Sequence, residues 1–250
     1  MYTLKQILKM DLINLFTNPM WLFYNIGFAL LLVLILGFLS SGGYGGDITA
    51  YDYYAVALMI YAIANTATIS ANSFMEERIK NGNMRVIYSP VPSWQLHFSK
   101  VIASFVFGVV CHTAVGLILH LLIGVHYGSR VIAVAAILLL MAAAELFAAA
   151  LGVFLCCVFK SEGVTNQILS LVITILALLG GLFFPVDGMG TAVASVSNIS
   201  PLKWLTLAAF QVIYDDNFTL LVPVGIGLVV LSFLAAAASA KIFKGEDYLL

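Results

Sequence analysis

His112 and Glu145 are the two residues whose types and positions could carry proton chemistry in an otherwise apolar chain. Each stands near the middle of a long apolar run. The two runs turn at about Tyr127 to Arg130, so a helical hairpin brings both residues to similar depth. Ionisable groups at that depth are costly, and they face a bundle interior or a water-filled path. Three readings stand open: a structural hydrogen bond, a substrate-path contact, or a proton relay. His120, two helical turns further out, could join the pair, and an intramembrane hydrolase using Glu145, His112 and His120 is the enzymatic alternative.

Other chemistries fail on spacing. There is no His-Glu-x-x-His, and Glu76-Glu77 lacks the following arginine and distant helical histidines of a CAAX-type protease. Four scattered histidines give no metal site, so none is expected. Cys111, Cys156 and Cys157 all fall inside apolar runs and read as packing residues. Gly42 to Gly46 is a flexible loop, because no Lys-Ser/Thr pair follows to cradle a phosphate. The sequons Asn198-Ile199-Ser200 and Asn217-Phe218-Thr219 matter only in a secretory eukaryotic setting.

These residues must be positioned by membrane helices. The chain has 250 residues, 62% hydrophobic and 9% charged, with a mean hydropathy of +1.07; soluble domains average about 45–50% apolar and about 25% charged. An all-α integral membrane protein is expected. At roughly 20 residues per span plus a loop, about six spans fit and no soluble catalytic domain remains. The net charge of −1 excludes a strongly basic nucleic-acid surface. The spans are expected at about Trp21 to Ser40, Tyr53 to Ser73, Val101 to Val125, Val131 to Phe159, Val164 to Phe184 and Thr219 to Phe243. The fourth is overlong, which implies tilt or a start one turn later. The first is read as a retained span rather than a signal peptide, since about twenty mixed residues precede it and no convincing cleavage site follows.

With the N-terminus inside, the cytoplasmic segments hold Lys5, Lys9, Arg78, Lys80, Arg85, Lys100, Lys160, Lys241 and Lys244, against Arg130 and Lys203 outside. The positive-inside rule therefore puts both termini in the cytoplasm. It also makes Phe74 to Lys100 a cytoplasmic loop, and that loop holds Glu76, Glu77, Arg78, Lys80, Arg85 and Lys100, six of the 23 charged residues. Apolar Phe74, Met75, Ile79, Met84, Val86 and Ile87 interleave with those charges, as in a short amphipathic helix. Pro90 and Pro92 stop it, and Ser93 is placed to cap a helix starting at Trp94. The bland reading is a solvated charged loop; the sharper one is a docking helix, at about Phe74 to Tyr88, for a cytoplasmic partner.

Met1 to Pro19 has Leu4, Ile7, Leu8, Leu12 and Leu15 near one helical face, as in an interfacial helix on the inner leaflet. Asp11 breaks that face, which points to a protein contact as much as a lipid one. Between the last two spans, Phe184-Pro185 ends a helix, and Ala192, Val193, Ala194, Val196 and Ile199 are too apolar for an aqueous loop. Gly188, Gly190 and Asn198 interrupt them. A re-entrant hairpin fits, with Ser200 as N-cap and Pro201 as first residue of a short helix to about Ile213. A simple packed lid is the alternative.

Two of these stretches carry a resemblance. Glu76, Glu77 and Arg78, then Gly82, then Ile87, Ser89, Pro90, Val91 and Lys100 are similar to the cytoplasmic loop of ABC-2 type permeases, the membrane subunits of type-2 ABC exporters. Asn83, Met84 and Arg85 depart from the family's usual Thr, Leu and acid. Independently, Gly180-Gly181-Leu182-Phe183-Phe184-Pro185 through Met189, then Asn198 to Trp204, resembles the family's segment between the last two spans. The resemblance covers essentially the whole chain as a single transmembrane domain, 1–250. It implies a coupling helix bearing Glu76, Glu77, Arg78, Lys80, Gly82 and Arg85, with the N-terminal helix packed beside it. It further implies an extracellular gate at Phe183, Phe184, Pro185, Met189 and Pro201. A second permease copy or a related permease, and a separate ATPase subunit holding ATP and Mg, are the implied partners; this chain would bind no cofactor. Few fixed charges in the spans suit export of an amphipathic drug, antimicrobial peptide or lipid through the plasma membrane. A polytopic sensor or assembly protein remains the alternative.

Overall fold

The computed structural model describes residues 2–43, 48–89, 91–92, 94–128, 130–186 and 189–243. Pro90, Ser93, Gly188, Lys244 and the Tyr44–Gly46 part of the glycine-rich loop lie outside them. The described residues are almost wholly helical, and six helical segments are long and apolar enough to cross a membrane.

The first helix, α1 (Tyr2–Phe16), lies before the spans. Asn18 starts the first span: its Oδ1 accepts from the Met20 amide at 3.1 Å, and Pro19 fills the first helical position. The span then runs through α2 (Pro19–Leu22), a π-helical stretch at Phe23–Phe28, and α3 (Ala29–Leu39). The second span is α4 (Ala50–Met75). A short helix α5 (Glu77–Ile87) follows, then α6 (Trp94–Ile123), α7 (Val131–Phe159) and α8 (Glu162–Leu179). Two short helices, α9 (Thr191–Ser197) and α10 (Pro201–Tyr214), precede the last span, α11 (Leu221–Ile242).

The end of the fifth span differs from the sequence expectation in an instructive way. The fifth span stops at Leu179 rather than Phe184, because Gly180 closes the helix and Gly181 takes φ +78°. The helix of the third span begins at Trp94, as expected, and in the turns before Val101 Gln95, His97, Ser99 and Lys100, polar by composition, are all buried inside protein.

The second span organises the bundle. In its most apolar stretch 78% of residues are buried, against 6–39% in the other five. Alanine and serine make this possible. A Cβ on Gly152 of α7 would overlap the Ala67 carbonyl of α4, and the Ser70 hydroxyl donates to the Ala149 carbonyl at 2.7 Å. This is the small-residue packing that lets two helix backbones approach in lipid. Asn72 and Asn166 exchange amide hydrogen bonds of 3.3 and 3.1 Å, tying α4 to α8.

A capping box starts α4. Thr49 accepts from the Asp52 amide, Asp52 Oδ2 accepts from the Thr49 amide at 2.9 Å, and Oδ1 takes the His126 amide at 3.0 Å. One buried carboxylate thus joins the start of α4 to the α6–α7 turn. Asp52→Ala is expected to cost about 1–3 kcal/mol, combining a lost cap with an unpaired amide. Thermal unfolding in detergent checks this, and an Asp52→Asn variant that loses as much would contradict it.

Candidate functional site

At one end of the bundle, α4 passes into α5 through the single residue Glu76, whose extended backbone (φ −55°, ψ 134°) redirects the chain. Its carbonyl accepts from the Ile79 and Lys80 amides at 2.8 and 2.9 Å, so Glu76 starts α5 while ending α4. Glu77 lies in the first turn of α5 and Arg85 in the last, the arrangement that complements the helix dipole.

The helix is two-faced. Glu77, Arg78, Asn81, Gly82, Arg85 and Tyr88 are exposed on one side, and Met84, Val86 and Ile87 pack on the core. Glu76 and Lys80 are intermediate. Five of the six residues expected on a coupling helix thus share one short helix and Glu76 is its N-cap; four of the five are on its open face. Arg78 and Glu76 approach to 3.5 Å, but Arg78 is largely exposed, so the contact adds little stability. Glu162, at the start of α8, lies within electrostatic reach of Glu76, Glu77 and Lys80, which extends the charged patch to a second connection.

What fixes α5 to the bundle is a residue that stood in the sequence only as a departure. Asn83 is buried, and its Nδ2 donates to the Phe74 carbonyl at 2.8 Å. Phe74 itself is fully buried. The amide therefore staples α5 under the last turn of α4.

Beside α5 lies α1. Asp11 is the protein contact its placement suggested: Oδ1 accepts from Lys100 Nζ at 2.6 Å, and Oδ2 from Ser99 Oγ at 2.7 Å. Phe16 packs edge-on to Phe107 with ring centroids 5.0 Å apart. Between the helices runs a groove of about 560 Å³, lined by Gln6, Met10 and Asn14 of α1 and Arg78, Gly82 and Val86 of α5. Its mixed polar and apolar walls suit a protein surface better than a small molecule.

The opposite end holds the second expected site. Tyr53 and Tyr54 of α4 donate to the Gly181 and Phe183 carbonyls at 2.5 and 3.0 Å, pinning the chain just after α8. Phe183 turns inward against Tyr61, centroids 5.0 Å apart, while Phe184, Pro185, Met189 and Pro201 are exposed. Of the expected gate residues, Phe183 is the one held in the core. Ser200 occupies the N-cap of α10 without capping it through its side chain; the hydroxyl instead donates to the Leu176 carbonyl at 2.7 Å, locking α10 onto the end of α8. The tyrosines had no sequence signature, because their acceptors are backbone carbonyls.

Midway between the ends, His112 and Glu145 meet. His112 Nδ1 contacts Glu145 Oε1, and both side chains are at most 5% exposed. Gly108 makes room, since a Cβ there would overlap the carboxylate. His120 does not join them: its Nδ1 lies 2.8 Å from the Val125 carbonyl and donates to it at the end of α6. Cys111, Cys156 and Cys157 are all buried.

These features span the region that a family comparison covers. The ABC-2 type transporter profile matches residues 2–214, from α1 through α10. A comparison with curated proteins finds no match. Six apolar helices, a short helix at one end, a pinned hairpin at the other and a profile match over most of the length lead to one conclusion: the chain belongs to the ABC-2 type transporter family and is the membrane-spanning permease component of an ABC transporter.

Proposed function

We propose that this permease is half of an ATP-driven exporter, and that α5 with the α1–α5 groove is the surface its ATPase subunit grips. The observation that carries the reading is the exposed face of Glu77, Arg78, Gly82 and Arg85, rigidly attached to the most buried helix of the bundle. A force applied to α5 reaches α4 through Glu76 and through the Asn83 amide held on the Phe74 carbonyl. Closure of an ATP-loaded motor pair would then favour one arrangement of the bundle over another through contacts that differ between the two states. ATP and Mg are held by that separate subunit.

The end that carries α1 and α5 faces the cytoplasm in this reading, as do both termini, in keeping with the clustering of Lys and Arg there. The plasma membrane is the proposed location. A second copy, or a related permease, packs against α8, where Leu171, Val172, Ile175 and Leu178 are exposed, and against the neighbouring Phe184, Met189 and Ile199. Phe183, Phe184, Pro185, Met189 and Pro201 then form an outer gate at the subunit boundary. The cargo is amphipathic, a drug, peptide or lipid, because the spans offer apolar walls with few fixed charges.

Pull-down of the tagged chain from nanodiscs, followed by an ATPase assay on whatever accompanies it, tests the reading. Wild type is expected to bring down an ATP-hydrolysing subunit. The Glu76→Ala, Glu77→Ala double variant is expected to lose at least about tenfold in recovered activity, the scale of a disrupted charged interface. A wild-type chain that purifies without any ATPase under conditions preserving complexes would sink the exporter reading in favour of a polytopic sensor or assembly protein.

A further inference from the structure

Between α4, α6 and α7, in the half of the bundle nearer Tyr53 and Tyr127, lies a cavity of about 300 Å³. That is the small end of the range of about 300–1,000 Å³ for ligand pockets. Its walls are Val56, Met59, Ile137 and Met141, and His112 and Glu145 stand at its buried floor. Leu117 and Leu138, 57% and 48% exposed on the flank of the bundle, form a mouth that opens sideways between α6 and α7.

The floor is chemically incomplete. Glu145 Oε2 and His112 Nε2 are buried and have no hydrogen-bond partner among the described residues. Whichever of the two side chains holds the proton they share, Oε2 remains an acceptor without a donor. When the imidazole is neutral and the carboxyl ionised, both free atoms are acceptors and the floor carries a net negative charge. No Lys or Arg lines the cavity to balance it. Buried acceptors need donors, and an ionised carboxylate is bonded most strongly by a charged one.

Near the mouth, the Tyr127 hydroxyl is also buried without a partner among the described residues. Burial, reinforced by Asp52, pushes this phenol well above its ordinary range, so it stays a neutral donor and acceptor. It lies over Gly116, where a Cβ would meet nothing closer than 3.7 Å.

We propose that this cavity is a binding site for a primary-amine amphiphile that enters sideways from the membrane, its ammonium on the Glu145–His112 floor and its hydrocarbon against Met59, Ile137 and Met141. The inference deepens the exporter reading, on which it rests only for treating the amine as cargo; the binding itself requires neither motor nor turnover. The site lies inside one chain's bundle rather than at a boundary between two copies.

A photoreactive alkylamine, applied to the purified chain in nanodiscs and mapped by peptide sequencing, tests it. Labelling is expected on the cavity-lining stretches 109–120 and 134–145, competed by decylamine but not by decanol or decanoate. Glu145→Gln, which keeps an acceptor for His112 but removes the charge, is expected to weaken amine competition at least about tenfold, the effect of losing one charge-assisted hydrogen bond. Gly116→Phe, which fills the cavity and leaves the pair intact, is expected to abolish specific labelling even if Glu145→Gln folds poorly. Labelling scattered over the outer surface, or decanol competing as well as decylamine, would overturn the site while leaving the ATPase pull-down untouched. A chain that labels as expected but captures no ATPase keeps the site and loses the exporter reading.

Discussion

Asp11→Ala is expected to loosen α1 from the bundle and to lower the unfolding midpoint in detergent more than any surface substitution. Both oxygens of Asp11 are engaged, by Lys100 and Ser99, and the side chains of the ion pair are only 6% and 1% exposed. Removing one partner leaves the other charge buried and uncompensated, a loss of about 3–5 kcal/mol. The reverse substitution, Lys100→Ala, should cost a similar amount. Replacing both with apolar residues of similar size, Asp11→Leu with Lys100→Met, should cost clearly less than either single change, because a buried pair roughly breaks even against well-packed hydrocarbon. Two measurements separate α1 release from global unfolding: the thermal midpoint, and the rate at which trypsin cuts at Lys5 and Lys9, both exposed on α1. If the double variant simply adds the two single losses, the pair carries no coupling and α1 is held by its apolar contacts alone. In the exporter reading α1 forms one wall of the groove that grips the motor, so the single variants should also reduce ATPase recovery, whereas the apolar double should restore it.

The sequence revealed what depends on local composition and hid what depends on partners far along the chain. Apolar length alone located all six spans. The fourth came out at Val131–Phe159 as expected, because Arg130 and Lys160 bracket it and Lys160 closes the helix in the left-handed conformation. The charged loop was legible as an amphipathic helix because most of its pattern lies within α5, but Phe74 and Met75, read as the start of that helix, are the buried end of α4 and α5 begins at Glu77. Asp11 was legible as out of place, but its partner Lys100 lies 89 residues away and read as one more charge of the cytoplasmic loop. Asn83 is another such case, because its acceptor is a backbone carbonyl that any residue at position 74 would supply. His112 and Glu145 were matched by depth alone, which sufficed because an apolar span leaves few other partners. His120, read as two turns further out and able to join them, bonds instead to Val125, at the helix end where a free carbonyl competes for it.

The last hidden feature carries the second large effect. Gly152 sits in an alanine-rich run, and α7 crosses α4 there so closely that the Ala67 backbone occupies the space of its missing side chain. Backbone cannot swing aside as a flexible side chain does, so Gly152→Leu must push the helices apart and stretch the Ser70 to Ala149 hydrogen bond beside it. Overpacking of this kind costs about 1–3 kcal/mol, with more to come if the Ser70 contact breaks. Gly225→Leu is the matched control: it is also a helical glycine, on α11, but a Cβ there meets nothing within 4 Å. That variant should unfold at the wild-type temperature or slightly above, since leucine favours helix over glycine. Equal midpoints for the two leucine variants would contradict the close crossing. The crossing also bears on transport. Because α5 is joined to α4 by Glu76 and by the Asn83 amide on the Phe74 carbonyl, motion imposed at α5 passes to α4, and the close contact of α4 with α7 at Gly152 is one place where it reaches the rest of the bundle. Gly152→Leu should therefore leave ATPase capture near wild type while reducing cargo-stimulated hydrolysis, a split that a general loss of folding would not produce.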